Sequence, residues 1–279
     1  MNTRVADKAK LAAIHVALAA ICVVMALPLI WMLLTALKTH QDVFTQPMWW
    51  IPIPTHLVDN IQRVFKMVPF GRYFGNSVFV ASAITLSDML FSTLTGFALA
   101  KYRFPGRNLV FGFVMATMMI PFIVIMIPEY IIVRKFGWVD SYQALIVPFA
   151  ISSFGIFMMR QAFLTVSDDL IAAARIDGAS DLRILFQIVV PLNVPTLVSL
   201  GILRFLGEWD ALLWPLVSTT SQKMRTLSLG LALLQDDRYG TDFPTLMAAA
   251  TMAVLPIILV YAFLQRYFIK SVASFGLKE

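Results

Sequence analysis

Cysteine, histidine and charged residues are scarce in this chain, and each scarcity excludes a class of protein. The single cysteine, Cys22, lies in an apolar run, which excludes a disulfide framework and a cysteine metal cluster. The three histidines, His15, His40 and His56, are too scattered in sequence to suggest a metal site. No G-x-x-x-x-G-K-(S/T) phosphate-binding loop occurs, so nucleotide hydrolysis must take place on another protein.

The low charge content places the chain in a bilayer. Charged residues make up 14% of the 279 residues and apolar residues 59%, with a mean hydropathy of +0.79, which excludes an ordinary soluble domain. A membrane-spanning helix needs roughly 20 mainly apolar residues. The sequence therefore predicts an all-α integral membrane protein with one domain, 1–279, and six spans, at residues 11–37, 74–100, 108–129, 141–163, 195–216 and 243–267.

The basic residues indicate the orientation of these spans. The loop 101–107 carries Lys101, Arg103 and Arg107 and no acidic residue, which favours the cytoplasmic side and places both termini there. The net charge of +6 is explained by topology and by contact with anionic lipid. No nucleic-acid role is indicated.

A polar segment, residues 167–191, interrupts the apolar runs. Ser167 can cap a helix whose first turn carries Asp168 and Asp169, where carboxylates stabilise the positive helix end. Gly178 supplies a turn, and Ser180 can begin a second helix with one apolar side. The pattern predicts a helix, a sharp bend and a second helix, built to contact another protein.

The spacing within this segment resembles a known signature. Ala172-Ala173-Ala174, three residues, Gly178, nine residues, Ile188, one residue and Val190-Pro191 are similar to the EAA signature of the membrane-spanning subunits of bacterial ABC importers. The resemblance extends over nearly the whole chain and is to the carbohydrate-uptake, maltose-type smaller permease. Further segments that match this family are residues 28–31 with Lys38, 72–77, 98–107, 208–210 and 214–216.

The resemblance implies a permease subunit without catalytic activity or cofactor of its own, in the bacterial inner membrane. Its implied partners are a second permease subunit in a heterodimer, an ATPase dimer that binds ATP and Mg, and an extracytoplasmic substrate-binding protein that meets the loop 218–242. It implies a coupling loop at 164–191. The ATPase-coupling residues would be Asp168, Asp169, Ala172, Ala173, Ala174, Asp177, Gly178, Ala179 and Pro191.

The chain departs from the family where Ala172 replaces a Glu that is expected to pair with a basic group on the ATPase. Asp168 and Asp169 are the candidates to replace that carboxylate.

Charged residues inside the spans are candidates for the solute pathway, because charge within a membrane requires partners or water. Arg204 and Glu208 lie four residues apart and can neutralise each other, as a structural pair or as a substrate contact. Asp88 is expected to make a polar contact between helices. Trp209 and Asp210 are expected to line the pathway and to offer a sugar a stacking face and hydrogen bonds.

Two other functions remain open at this point. A secondary transporter would use Asp88, Glu208 and Asp210 as proton or sodium sites, and a membrane scaffold would use only the polar hairpin. Under the importer hypothesis, the solute is an oligosaccharide, a monosaccharide derivative, a polyol or glycerol phosphate.

Overall fold

The computed structural model describes residues 2–234 and 242–276, with side chains described over 10–234 and 242–265. All regular elements in these ranges are helical, so the predicted all-α class is confirmed. The α-helices are α1 (Asn2–Ala36), α2 (His40–Thr45), α3 (Leu57–Met67), α4 (Phe70–Lys101), α5 (Arg107–Met118), α6 (Phe122–Lys135), α7 (Tyr142–Ile146), α8 (Ser153–Leu164), α9 (Asp168–Ile176), α10 (Asp181–Ile184), α11 (Val190–Leu192), α12 (Val194–Trp209), α13 (Leu213–Ser218), α14 (Leu227–Ala232) and α15 (Phe243–Gly276).

Four stretches of the described chain are helical, long and apolar enough to cross a membrane: Lys10–Ala36, Phe70–Lys101, Tyr142–Leu164 and Phe243–Gln265. Two further pairs of helices pass the same test but are sharply bent. α5 and α6 meet at 102°, and Asp181–Leu192 meets α12 at 84°. The structure therefore has four to six candidate spans. The count of six and the boundaries of the single domain stay predictions.

Three of the expected spans are not single helices, and proline explains the breaks. Residues 108–129 are interrupted before Pro121, and the run 195–216 is divided between α12 and α13. A continuous helix through Pro215 would force its ring against the carbonyl of Ala211. In the run 141–163, α7 ends at Ile146, followed by a 3₁₀ turn that contains Pro148.

The carbonyl that Pro148 leaves without a helical donor, that of Ala144, accepts a hydrogen bond from Trp214 Nε1 at 2.8 Å. Backbone groups freed by proline within a membrane must find partners, and this one has found a neighbouring side chain.

The chain folds into two compact units, and the first runs to Val68 and includes Leu233–Val254. In it, the Asn60 amide donates to the carbonyls of Ala36 and Lys38, both at 2.9 Å, which ties the end of α1 to α3. The most apolar 18-residue window of α1 has no buried residue. That surface needs lipid or another chain to cover it.

The second unit contains Pro69–Ala232 and the chain after Val254, and α4 is its central helix. α4 packs along α8 and α12. One buried cluster joins these helices to the polar segment through Phe97, Phe163, Ile184 and Leu200, among others. A second cluster, with Ile84 and Trp214, joins α4 to α7 and α13. This unit holds all the candidate site residues.

Candidate functional site

The predicted helix, bend and helix over residues 167–191 is present, and we call α9 to α11 the hairpin. The Ser167 hydroxyl accepts from the Asp169 N–H at 3.2 Å, as a helix cap does. Ile171 and Ala174 face the core, whereas Ala172 and Ala173 are exposed. The small face of α9 is therefore turned outward, with Ala174 supporting it from within.

The bend between the two arms of the hairpin depends on Gly178. Its φ of +80° lies in the left-handed region, which side chains with a Cβ resist. The Ala179 N–H returns to the Ala174 carbonyl at 3.0 Å and closes the end of α9. Ser180 then caps the second arm, with its hydroxyl accepting from the Arg183 N–H at 3.4 Å.

The second arm contains a π-helical turn at Leu185–Val189, which is separated from Pro191 by Val190 alone. Pro191 has no N–H to donate, so the regular ladder of α-helical bonds cannot continue through it. A wider turn accommodates such a position, and π-turns are frequent at functional sites. The expected second helix is thus present but locally unwound.

Two side-chain contacts attach the hairpin to the end of α4. Lys101 Nζ donates to the Val166 carbonyl at 2.6 Å and to Asp168 Oδ1 at 2.7 Å, and the Lys101 side chain is only 4% exposed. The hydrogen bond from Lys101 lowers the pKa of Asp168 below its usual range. Asp168 is therefore already paired with Lys101. Of the two carboxylates, Asp169 is the better placed to pair with a basic group on another protein.

Arg175 forms the second attachment. Its guanidinium bonds Asp181 Oδ1 at 3.0 Å and lies 5.8 Å from the centre of the Tyr102 ring. The Tyr102 hydroxyl and the Arg175 guanidinium lower the pKa of Asp181. Between α4 and α9, Tyr102, Arg175 and Ala172 border a recess of about 360 Å³.

The outer side of the hairpin is apolar at both arms. Ile176 is 87% exposed and Leu182 is 62% exposed. Together with Ala172 and Ala173 they form a surface of small and apolar side chains, which we call the hairpin face. An exposed apolar patch of this kind marks a contact with another protein or a membrane.

A cluster of three charged residues lies inside the second unit. Asp88 is fully buried and accepts hydrogen bonds from the Ser152 N–H, the Ser152 hydroxyl and the Ser92 hydroxyl, each at 2.7 Å. Arg204 Nε lies 3.3 Å from Asp88 Oδ2, an ion pair without hydrogen-bond alignment. The expected polar contact between helices by Asp88 is therefore observed.

Arg204 also joins the carboxylate of Glu208, as their spacing indicates. Its Nη1 lies 3.0 Å from Glu208 Oε1, and its Nη2 donates to the Phe149 carbonyl at 2.7 Å. Every nitrogen of the guanidinium therefore faces an oxygen of the chain. The cluster holds two carboxylates for one guanidinium.

Gly155 allows this cluster to form, because a Cβ there would collide with the Ser92 hydroxyl and come within 2.9 Å of Asp88 Oδ1. Any side chain at this position would displace α8 from the carboxylate of α4. The close approach of the two helices is therefore part of how Asp88 obtains its donors.

Trp209 and Asp210 lie where α12 ends. Asp210 is exposed, but Trp209 is 2% exposed, and its ring packs edge-on against Phe74 and stacks with Phe205, both at 5.7 Å. The expectation that Trp209 offers a stacking face to a sugar is wrong for this conformation, because neighbouring aromatic rings occupy that position. A role of either residue in the pathway stays a prediction.

Several residues of these sites carry no recognisable signal in the sequence. Ser152, the carbonyl of Phe149 and Lys101 become partners of site residues only through folding, across more than 50 positions of chain. Among the described residues, no group of His, Cys, Asp and Glu side chains has the arrangement of a metal site. Of the expected binding-protein contact loop, 218–242, residues 235–241 lie outside the described residues, and the described part contains α14.

Comparison with known proteins gives a family match. A family model described as a binding-protein-dependent transport system inner membrane component matches residues 92–274. The arabinooligosaccharides transport system permease protein AraQ of Halalkalibacterium halodurans is 36% identical over 253 residues, which cover 90% of each chain. The sn-glycerol-3-phosphate transport system permease protein UgpE of Escherichia coli O6:H1 is 33% identical over 254 residues, covering 88% of this chain and 90% of that protein.

Two solved structures share the fold. One is a bacterial ABC transporter involved in the import of the acidic polysaccharide alginate, with a TM-score of 0.84 and 23% identity, covering 94% of this chain and 98% of that chain. The other is a bacterial alginate ABC transporter in complex with an alginate pentasaccharide-bound periplasmic protein, with a TM-score of 0.64 and 15% identity over 92% and 94% of the two chains.

Proposed function

The chain belongs to the family of binding-protein-dependent transport system inner membrane components, and on that premise we propose that it forms half of the translocation pathway of an ATP-driven sugar importer. It is a non-catalytic permease subunit of the inner membrane. The relatives named for arabinooligosaccharides and sn-glycerol-3-phosphate support a sugar or sugar-like solute.

The hairpin is the proposed docking element for a separate ATPase dimer, which would bind ATP and Mg. The observation that carries this assignment is the hairpin face, where Ala172, Ala173 and Ile176 are exposed on a helix held by Lys101 and Arg175. A rigid element with an uncovered apolar face transmits motion better than a free loop would. The proposed coupling residues remain Asp168, Asp169, Ala172, Ala173, Ala174, Asp177, Gly178, Ala179 and Pro191.

Their roles differ according to where they lie. Ala172, Ala173 and Asp169 are exposed and would touch the ATPase, whereas Ala174 packs inside and Asp168 attaches α9 to α4. Gly178 shapes the bend. When the ATPase dimer closes on ATP, the hairpin would carry α4 and α8 with it and change which side of the pathway is open.

The remaining parts of the assembly follow from the same proposal. Six spans with both termini in the cytoplasm would place the hairpin on the ATPase side, in agreement with the basic loop 101–107. The uncovered surface of α1 supports a second permease subunit as partner. A substrate-binding protein would deliver the solute, and Asp88, Arg204, Glu208, Trp209 and Asp210 are the proposed pathway residues.

The test compares two glycines of the same backbone conformation. Gly178 and Gly137 have φ values of +80° and +69°, and a Cβ on either would meet no atom within 4 Å. Each Gly→Val substitution costs about 1–2 kcal/mol of backbone strain, so general destabilisation is matched. We expect Gly178→Val to abolish co-purification of the ATPase subunit and ATP-driven uptake in proteoliposomes, and Gly137→Val to retain both. Equal behaviour of the two variants would contradict the coupling assignment.

The two alternative functions predict other results in the same preparation. A secondary transporter with proton or sodium sites at Asp88, Glu208 and Asp210 would take up solute without ATP and without any ATPase chain. A scaffold would bind the ATPase but transport nothing. Uptake that requires both ATP and the ATPase subunit excludes the two alternatives.

A further inference from the structure

A cavity beside the buried charge cluster is assigned no role by the coupling mechanism. It has a volume of about 270 Å³, near the lower limit of ligand pockets, which measure roughly 300–1,000 Å³. Phe122, Phe149 and Trp214 line one side and contact one another edge-on or tilted, with centroids 5.7–6.2 Å apart. Its size and aromatic wall suit one sugar ring, whose C–H faces pack on aromatic groups.

Thr226 supplies the second observation that points to a ligand. Its side chain lines the cavity, the residue is 4% exposed, and its hydroxyl has no hydrogen-bond partner among the described residues. Buried hydroxyls are normally hydrogen-bonded, so an unpaired one at a cavity wall is a place for a ligand group to bind. A sugar hydroxyl can donate to this oxygen or accept from it.

The charge of the cavity wall restricts the ligand further. Glu208 is the ionisable residue among the described residues that line it, and its carboxylate faces Arg204 on the other side. Arg204 has its three nitrogens directed at Asp88, Glu208 and the Phe149 carbonyl. Arg204 is not among the described residues that line the cavity, so its guanidinium is not presented to a ligand there, whereas the Glu208 carboxylate at the wall repels a phosphate or carboxylate.

We propose that this cavity is a subsite for a neutral sugar unit, held by Thr226, Glu208 and the aromatic wall, and that it excludes anionic solutes. This inference rests on the proposed importer function and narrows its substrate class. Of the solutes named for the relatives, a neutral arabinooligosaccharide is compatible with the charge of the cavity wall, whereas the anionic sn-glycerol-3-phosphate is not.

The first experiment measures occupancy with a cysteine reporter in the complete complex. Cys22 is the single cysteine of this chain, so Cys22→Ala provides a background for Ala211→Cys, which lies at the cavity wall, and modification is scored on this chain alone. The rate of modification by a neutral thiol reagent is measured alone, with an arabinooligosaccharide and with sn-glycerol-3-phosphate. We expect the neutral saccharide to slow modification and the anionic solute to leave it unchanged.

Two threonine variants separate binding from folding. Thr226→Val removes the hydroxyl at the cavity wall. Thr93→Val is the control, because its hydroxyl is also buried and unpaired but Thr93 is not among the described residues that line the cavity. Loss of one hydrogen bond predicts that Thr226→Val needs up to about tenfold more saccharide for the same protection. Thr93→Val is expected to match the parent. Equal protection in both variants would remove Thr226 from the site.

The charge of the cavity is measured first with Glu208 unchanged and then in a Glu208 variant. At Ala211→Cys, an anionic methanethiosulfonate should react about tenfold more slowly than a neutral one of similar size, after correction for their rates with free thiol. Glu208→Gln, which keeps a hydrogen-bond acceptor for Arg204, should reduce that difference. Protection by glycerol phosphate equal to that by saccharide, or equal rates for the two reagents, overturns the proposal. Dependence of uptake on ATP is scored separately, so the importer function can stand while the subsite fails.

Discussion

The middle and the C-terminal end of one helix show two ways in which this protein holds charge. Asp88 and Lys101 both belong to α4, thirteen residues or roughly 20 Å apart along the helix axis. Asp88 is fully buried and its partner Arg204 is only 20% exposed, whereas Lys101 reaches from a buried position to Asp168, whose side chain is 76% exposed. Water does not reach Asp88, so the interior cluster is expected to stay paired. Water can solvate Asp168, so the ion pair at the hairpin can open.

The difference follows from solvation. A buried carboxylate is tolerable only if donors and an opposite charge replace the water it has lost, so each member of the Asp88 cluster depends on the others. An ion pair with one exposed partner contributes little by itself, because water solvates that partner when the pair opens. An attachment that must follow the motion of an ATPase is therefore better formed by an ion pair with one solvent-exposed partner.

The largest expected effect comes from breaking the interior cluster. Asp88→Ala leaves the Ser152 N–H and the Ser152 and Ser92 hydroxyls without their acceptor and removes one of the two carboxylates that face Arg204. Because each unsatisfied buried donor costs about 1–3 kcal/mol, we expect a loss of about 3–5 kcal/mol in stability, measured as unfolding of the detergent-solubilised protein. Asp169→Ala, on the exposed side of α9, is the control and should cost less than about 1 kcal/mol. Similar losses in both would show that the interior cluster is not a mutually dependent set.

A smaller effect is expected at Lys101. Lys101→Met keeps the buried aliphatic stem but removes both hydrogen bonds of the ammonium, one of them to the Val166 carbonyl. We expect a loss of about 1–2 kcal/mol. Hydrogen exchange should rise in α9 and remain unchanged around Asp88. Faster exchange around Asp88 would show that the two regions are not separate in stability.

The smallest effect is a pH dependence confined to the hairpin. Lys101 lowers the pKa of Asp168, and Tyr102 and Arg175 lower that of Asp181, from the ordinary value of 3.8. Because the folded-state pKa is the lower one, the stabilisation is fully present above pH 3.8 and is lost as the pH falls through the folded-state values.

Hydrogen exchange by mass spectrometry below pH 4 tests this, after correction for the intrinsic rate at each pH. Protection of residues 164–180 should fall while protection of the middle of α4 holds. In a double variant, Asp168→Asn with Asp181→Asn, the dependence should be absent. A pH response that persists in the double variant would assign it to other groups.

Much of the hairpin was predictable because its determinants are local. Ser167 and Ser180 cap the helices that follow them, and Gly178 provides the bend, at the positions expected from the sequence. The pairing of Arg204 with Glu208 was predictable for the same reason, since four residues make one helical turn. Trp209 was predicted less well, because whether an aromatic ring is covered depends on Phe74, which is distant in sequence.

The sequence by itself determined that the chain is helical, belongs in a membrane and carries a capped, bent hairpin, because composition, proline and capping act within a few residues. Only the tertiary structure decided that Lys101 is the partner of Asp168, that Arg204 faces Asp88 and the Phe149 carbonyl, and that Thr226 lines a cavity with its hydroxyl unpaired. Those facts depend on which distant segments are brought into contact. Such contacts arise from the packing of whole helices and leave no local pattern in the chain.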